Sequence, residues 1–206
     1  MYVPAHNRND DRAELIGFMR HYNFAALVTA EGGVPVATHL PFLVEERDGV
    51  VRLCAHLARA NPQARGLADD GPALVIFQGP HAYVSPAHYQ RHPSVPTWNY
   101  AAVHAGGVLR RLDGGAEKAA LLERLVAAHD APYLESMRKL PPGYLEARLE
   151  AIVAFEVRVE RLDARWKLSQ DRSPAERGAI VAALEASPDA AAAALAALMR
   201  RHEPAA

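Results

Sequence analysis

The stretch FAALVTAEGGVPVATHLPFLVEERDGVVRLCAHL, from Phe24 to Leu57, decides the architecture. FAALVTA is compact and apolar, EGG supplies turn residues, and VPVATHLPFLVEE resumes an extended pattern, so the two runs read as a β-hairpin. ERDG then turns the chain into VVRLCAHL, which makes three antiparallel strands in a row. Thr38 and His39 interrupt the middle run and Pro41 follows two places on. A proline removes a ladder donor, so this strand suits a sheet edge, or faces something other than a neighbouring strand.

Upstream, NDDRAELIGFMRHY opens with Asn9 and Asp10 as capping residues and carries Leu15, Ile16, Met19 and Tyr22 at helical spacing. Downstream, ARANPQARGLAD predicts a short helix: Asn61 caps it, Pro62 suits its first position, and it runs out near Asp69, Asp70 and Gly71. PALVIFQG reads as a buried strand, HAYVS as a shorter one, and His88 to Pro96 as a loop. TWNYAAVHAGGVLRRL is a long strand with a bulge or bend expected at Gly106 and Gly107. GGAEKAALLERLVAAHDAP carries a helical stripe of Leu121, Leu122, Leu125 and Val126, and PGYLEARLEA a shorter helical piece. IVAFEVRVERLDARW alternates like a strand with one buried face. Two helices close the chain, with Ser173-Pro174 and Ser187-Pro188 placing their starts. The expectation is an α+β chain, mainly antiparallel β: strands in meander order form a barrel with inserted and C-terminal helices. With no internal repeat or linker, residues 1–206 read as one domain whose helical C-terminal extension covers about 173–206.

Composition narrows the functions. Half of the 206 residues are hydrophobic, enough for a core without covalent staples. Cys54 stands alone, the N-terminus lacks a signal-peptide pattern, and no apolar run approaches a membrane span, so a cytoplasmic protein is expected. The 23 Lys and Arg against 24 Asp and Glu leave a net charge of -1, which gives no general attraction for nucleic acid. Neither a Rossmann G-x-G-x-x-G nor a P-loop is present. His81, His88 and His92 lack the companion spacing of a zinc site, so no metal is expected, and Ser85 lacks a nucleophile-elbow context.

One corner suggests a ligand. In CAHLARANPQ a strand ends at His56, passes small residues and Arg59, and enters a helix capped by Asn61. An arginine beside a helix N-terminus suits a phosphate dianion, although the same features also fit an ordinary strand-to-helix turn.

Taken together, FAALVTAEGGVPVATHLPFLV, CAHLARANPQ, ALVIFQGPHAYVSPAHY, VPTWNYAAVHAGG and RWKLSQDRS resemble the PaiB family of FMN-binding negative transcriptional regulators, from Met1 to about Asp171. That family is similar to the FMN-binding split β-barrels, in which FMN lies at the interface of a homodimer. The resemblance implies FMN as cofactor, with its phosphate held by Arg59 and by donors among His56, Leu57, Ala58 and Asn61, Gln63 being close by. Thr38, His39 and Leu40 would run along the isoalloxazine ring. Trp98 and Tyr100 would line the pocket or the dimer seam, with core packing as the alternative for Trp98, while Asn99 would offer its amide to the flavin edge. Lys167 and Gln170, after the last strand, would close over the cofactor from the partner subunit. DNA is a partner by family label only, since the terminal helices carry balanced charge. The alternatives are a flavin-dependent oxidoreductase acting on a small molecule, and a dimeric interaction module with an empty pocket.

Overall fold

The computed structural model describes residues 1–90, 92–141 and 143–203. Arg91, inside the predicted loop, and Pro142, at the head of the predicted PGYLEARLEA helix, lie outside them. Helix α1 spans Arg12–His21. Strands β1 (Phe24–Glu31), β2 (Val34–Pro41), β3 (Leu43–Arg47) and β4 (Val50–Ala58) follow. A 3-10 turn at Pro62–Gly66 leads to β5 (Pro72–Val84), and another at Pro86–His88 leads to β6 (Thr97–Leu112). Helices α2 (Gly115–Asp130), α3 (Tyr133–Met137) and α4 (Tyr144–Glu150) precede β7 (Ile152–Lys167). Helices α5 (Pro174–Glu185) and α6 (Ala190–Arg201) come last.

The seven strands form one sheet in the order β2-β1-β5-β6-β7-β4-β3. The pairings β1–β2, β1–β5, β3–β4 and β4–β7 are antiparallel. This is the split-barrel architecture, α+β with mainly antiparallel strands, as the sequence predicts.

The meander is corrected at two steps: β4 and β5 are consecutive in sequence but not neighbours, and β2 and β3 occupy opposite ends of the strand order. The cause of the second sits between β2 and β3. Pro41 ends the β1–β2 ladder opposite Phe24, and Phe42 is buried, meeting Phe77 and Phe155 edge-on at centroid distances of 6.0 and 6.2 Å. A buried aromatic side chain contributes roughly 2–3 kcal/mol, which anchors the crossing firmly.

Three other expectations change. The separate strands PALVIFQG and HAYVS are one strand, β5, running straight through Gly79-Pro80. β6 is likewise unbroken at Gly106 and Gly107. Gly107 is needed there because a Cβ at that position would fall onto the Arg158 carbonyl of β7, so it permits a close backbone approach. At the end of the chain Ser173 and Glu176 form a reciprocal capping box for α5, but α6 is capped by Asp189, whose carboxylate accepts from the Ala191 N–H, not by Ser187.

The chain forms two compact units, each built from discontinuous segments. One comprises Met1–Leu15, Gln78–Val103 and the residues from Asp163 onward; the other comprises Ile16–Phe77 and His104–Leu162. The second holds the phenylalanine cluster and a group of Cys54, Leu112, Leu121, Leu125 and Ala154, where α2 meets the sheet. The first holds α5 and α6, stapled by Arg177, whose guanidinium donates to the Leu168, Met199 and His202 carbonyls. No helix among the described residues is long and apolar enough to cross a membrane.

Candidate functional site

The corner predicted from CAHLARANPQ exists in the larger unit and is fastened to β2. Asn61 performs two tasks: its Oδ1 accepts from the Gln63 N–H at 2.9 Å, and its Nδ2 donates to Thr38 Oγ1 at 3.0 Å. Gln63 is buried, and its Nε2 donates to Thr29 Oγ1 at 3.0 Å and to the Leu27 and Val36 carbonyls at 3.4 and 3.3 Å. Its Oε1 is buried with no hydrogen-bond partner among the described residues. One cap residue and one amide thus tie the turn to the β1–β2 hairpin.

Arg59 folds back along the chain: Nε donates to the Glu150 carbonyl at 2.6 Å and Nη2 to the Ile152 carbonyl at 3.3 Å. The Arg59 N–H is bonded to Ala151, Asn61 N–H to Ala58, and Ala64 N–H to Asn61. The expected phosphate cradle is therefore tied internally at these positions. The predicted helix is also a single 3-10 turn of five residues, too short to add much dipole.

The expected ring-binding strand is better placed. β2 is a terminal strand of the sheet, so among the described residues the side facing away from β1 has no strand partner. Thr38 is half-buried, His39 is exposed and Leu40 is buried. His39 lies nearly parallel to the exposed Phe24 ring, at 6.1 Å and 25°. A planar ligand with alternating donors and acceptors on its edge fits an open strand flanked by a flat aromatic pair, and Gln63 Oε1 is an acceptor still to be satisfied.

His56, Leu57 and Ala58 do not join this set as one group. Side chains alternate along β4, so His56 shares a face with Cys54, where α2 packs, and the buried Leu57 points to the other face. Burial lowers the pKa of His56 from its ordinary value, and its Nδ1 has no hydrogen-bond partner among the described residues. Burial, with Glu45 and Glu156 nearby, pushes the Cys54 thiol up to about 12, so it stays protonated and inert. Ala58 is exposed at the end of the strand.

The remaining predicted residues lie in the smaller unit. Trp98 is 53% exposed, which removes core packing as its explanation; it meets His81 at 5.9 Å and Tyr83 edge-on at 6.4 Å. Asn99 is fully buried, donating to Ser169 Oγ at 2.8 Å and Met199 Sδ at 3.6 Å. Tyr100 lies under the Arg165 guanidinium at 5.4 Å. Lys167 is the last residue of β7, where the sequence suggested a position beyond the strand, and it bonds Thr97 Oγ1. Its pKa is lowered, first by burial and then by Arg165. Gln170 curls onto the chain, accepting from the Leu168 N–H and donating to the Trp166 carbonyl.

Sequence reasoning missed a cationic cluster around Lys167. Arg165, two residues earlier on the same strand face, sits over Tyr2 and Tyr100, and Arg172 sits over Tyr89 at 3.9 Å. The signal was the i, i+2 spacing of Arg165 and Lys167, which places two positive charges on one side of a strand.

Comparison with known proteins follows the same outline. Residues 1–161 match the family described as "Putative FMN-binding domain". The chain is 39% identical over 176 residues to the protease synthase and sporulation protein PAI 2 of Bacillus subtilis, covering 84% of each chain. It is similar in fold to a flavocytochrome from Azotobacter vinelandii (TM-score 0.62, 17% identity, 80% of this chain and 72% of that one). It is also similar to a FAD and heme binding protein from Mycobacterium smegmatis (TM-score 0.60, 18% identity, 78% and 73%). The domain matched over residues 1–161 and the 39% identity to the Bacillus relative across 84% of each chain carry the assignment: the chain belongs to the PaiB family.

Proposed function

We propose that the chain is a homodimeric FMN-binding protein of the PaiB type, a negative regulator of transcription whose activity depends on bound flavin. The observation that carries this reading is the open β2 edge, with Thr38 tied to the Asn61 corner and the Phe24–His39 pair exposed beside it. The family's description and the names of its fold neighbours point to the same class of cofactor.

Thr38, His39 and Leu40 would hold the ring, their backbone supplying its polar edge and Leu40 its apolar contact. Gln63 Oε1 would accept from a ligand N–H or O–H. The corner's internal bonds leave less of the phosphate charge to Arg59 than the sequence suggests. Lys167 of the partner subunit, supported by the partner's Arg165 and Arg172, would neutralise the rest, with Gln170 of the partner subunit nearby. Bound FMN supplies reversible electron or hydride transfer, and the protein contributes position and a water-poor surface.

Regulation through direct grip on DNA by α5 and α6 has little support: Arg177 is buried, and Arg200 is held by Glu185 at 2.6 and 2.8 Å. A flavin-dependent change in dimer shape or partner binding is the regulatory step this surface allows.

The freshly purified protein is expected to be yellow, to release FMN on heating as identified by mass, and to elute as a dimer. A colourless protein that takes up no FMN in a titration overturns the proposal. Rapid anaerobic bleaching of the flavin by reduced nicotinamide would replace the regulator with an oxidoreductase.

A further inference from the structure

We propose that the smaller unit contains a second ligand site, a cavity for a small organic cation with a compact apolar or aromatic body. The cavity has a volume of about 340 Å³ and opens between the β5–β6 pair and the α5–α6 helices. This is within the size range of small-molecule pockets. The inference does not rest on flavin binding, because none of its residues belongs to the β2 edge or the Asn61 corner.

One wall is aromatic. Tyr83 and Trp98, 51% and 53% exposed, meet edge-on at 78°, so they present ring faces in two directions. The opposite wall is aliphatic, made by Ile180 and Leu184, both buried. Ala183 and Ala192 supply the room: larger side chains at these helix positions would fill the space. Such a surface gains by covering an apolar body and gives a flat group something to stack on.

The charge of the lining selects the ligand. Among the described residues the lining contains no lysine or arginine, and its one carboxylate is Asp189. Asp189 Oδ1 accepts from the Ala191 N–H at 2.9 Å, and a carboxylate has further acceptor sites beyond that bond. His88 is the other titratable side chain besides Tyr83, and Ser85 and Ser187 add hydroxyls at the rim. A phosphate would meet a carboxylate with no cation to offset it. An ammonium group meets that carboxylate and two electron-rich ring faces, the combination that recognises organic cations. The same lining therefore argues against the flavin phosphate and for an amine.

The test uses the full-length protein at pH 8 and three probes of one shape: 2-phenylethylamine, 2-phenylethanol and 3-phenylpropionate. Binding is read by ligand-observed NMR and by Trp98 fluorescence in a Trp166→Phe background. The amine should bind about 10-fold tighter than the alcohol, and the acid not measurably, in keeping with the size of a cation–π contact. Asp189→Asn keeps a good helix cap and should cut the amine's preference over the alcohol to about 3-fold, the part left to the rings. Ala183→Leu should abolish binding of both while FMN uptake is unchanged; Tyr83→Ala should do the same if the leucine variant fails to fold. Equal binding of the three probes, binding of none, or full amine preference in Asp189→Asn overturns the proposal. A protein that binds the amine but no FMN would sink the flavin reading and leave this one standing.

Discussion

His56 illustrates what a single residue conceals. In sequence it stands one place before Leu57 and three before Arg59, and the resemblance groups all of them around a phosphate. In the fold, strand alternation places His56 on the α2-covered face with Cys54 and turns Leu57 the opposite way. The period of two was legible; which face a distant helix covers was not, because that depends on contacts more than sixty residues away. The burial has a consequence for stability. Its pKa lies below the ordinary 6.5, so the native state keeps His56 neutral while the unfolded chain takes up a proton as pH falls through 6.5. Stability is therefore fully present above that value and declines as pH falls toward the native pKa. Urea midpoints measured at pH 7.5 and 5.5 should drop more for the wild type than for His56→Gln. An identical drop in the two would remove His56 from the pH response. Asn61 is the contrasting case: its capping role could be read directly, since cap, Pro62 and the following residues are contiguous. Its second bond, to Thr38 across 23 residues, could not.

At the scale of elements, most strands and helices were readable from their periods, and the exceptions have definite physical causes. Gly79-Pro80 looks like a break, yet β5 passes through it with both residues buried. Gly106-Gly107 looks like a bulge, whereas Gly107 lets two strands approach each other. Glycine and proline mark an unusual backbone requirement, and a single sequence does not say whether that requirement is a turn or a close contact. The Asn61 turn is the element on which the candidate site depends. Asn61→Ala should remove a cap and the tie to β2, costing about 1–2 kcal/mol. Denaturant unfolding would register that loss, and FMN affinity should fall with it. A variant of wild-type stability and affinity would mean the corner does not organise the site. Asn99 belongs to this scale as well: its amide joins β6 to the end of β7 and to α6, a task that its place in PTWNY did not reveal.

For the whole molecule, the class of fold was legible and the order of strands was not. The crossing at Phe42, which sends β2 and β3 to opposite ends of the sheet, depends on one buried side chain meeting Phe77 and Phe155 far along the chain. The predicted site residues divide between two compact units, with Thr38 to Gln63 in one and Trp98 to Gln170 in the other. This division is why a homodimer matters to the proposed function: cations on a second copy would complete what the Asn61 corner leaves unfilled. The edge of β2 and the Trp98 cavity share no residue, so flavin and amine binding can be tested apart. The most direct measurement is amide hydrogen exchange of the purified protein with and without FMN. Bound FMN should add protection over β2, Val34–Pro41, and over the turn Pro62–Gly66. Protection confined to the β5–β6 and α5–α6 cavity, or none at saturating FMN, would contradict flavin binding at the β2 edge.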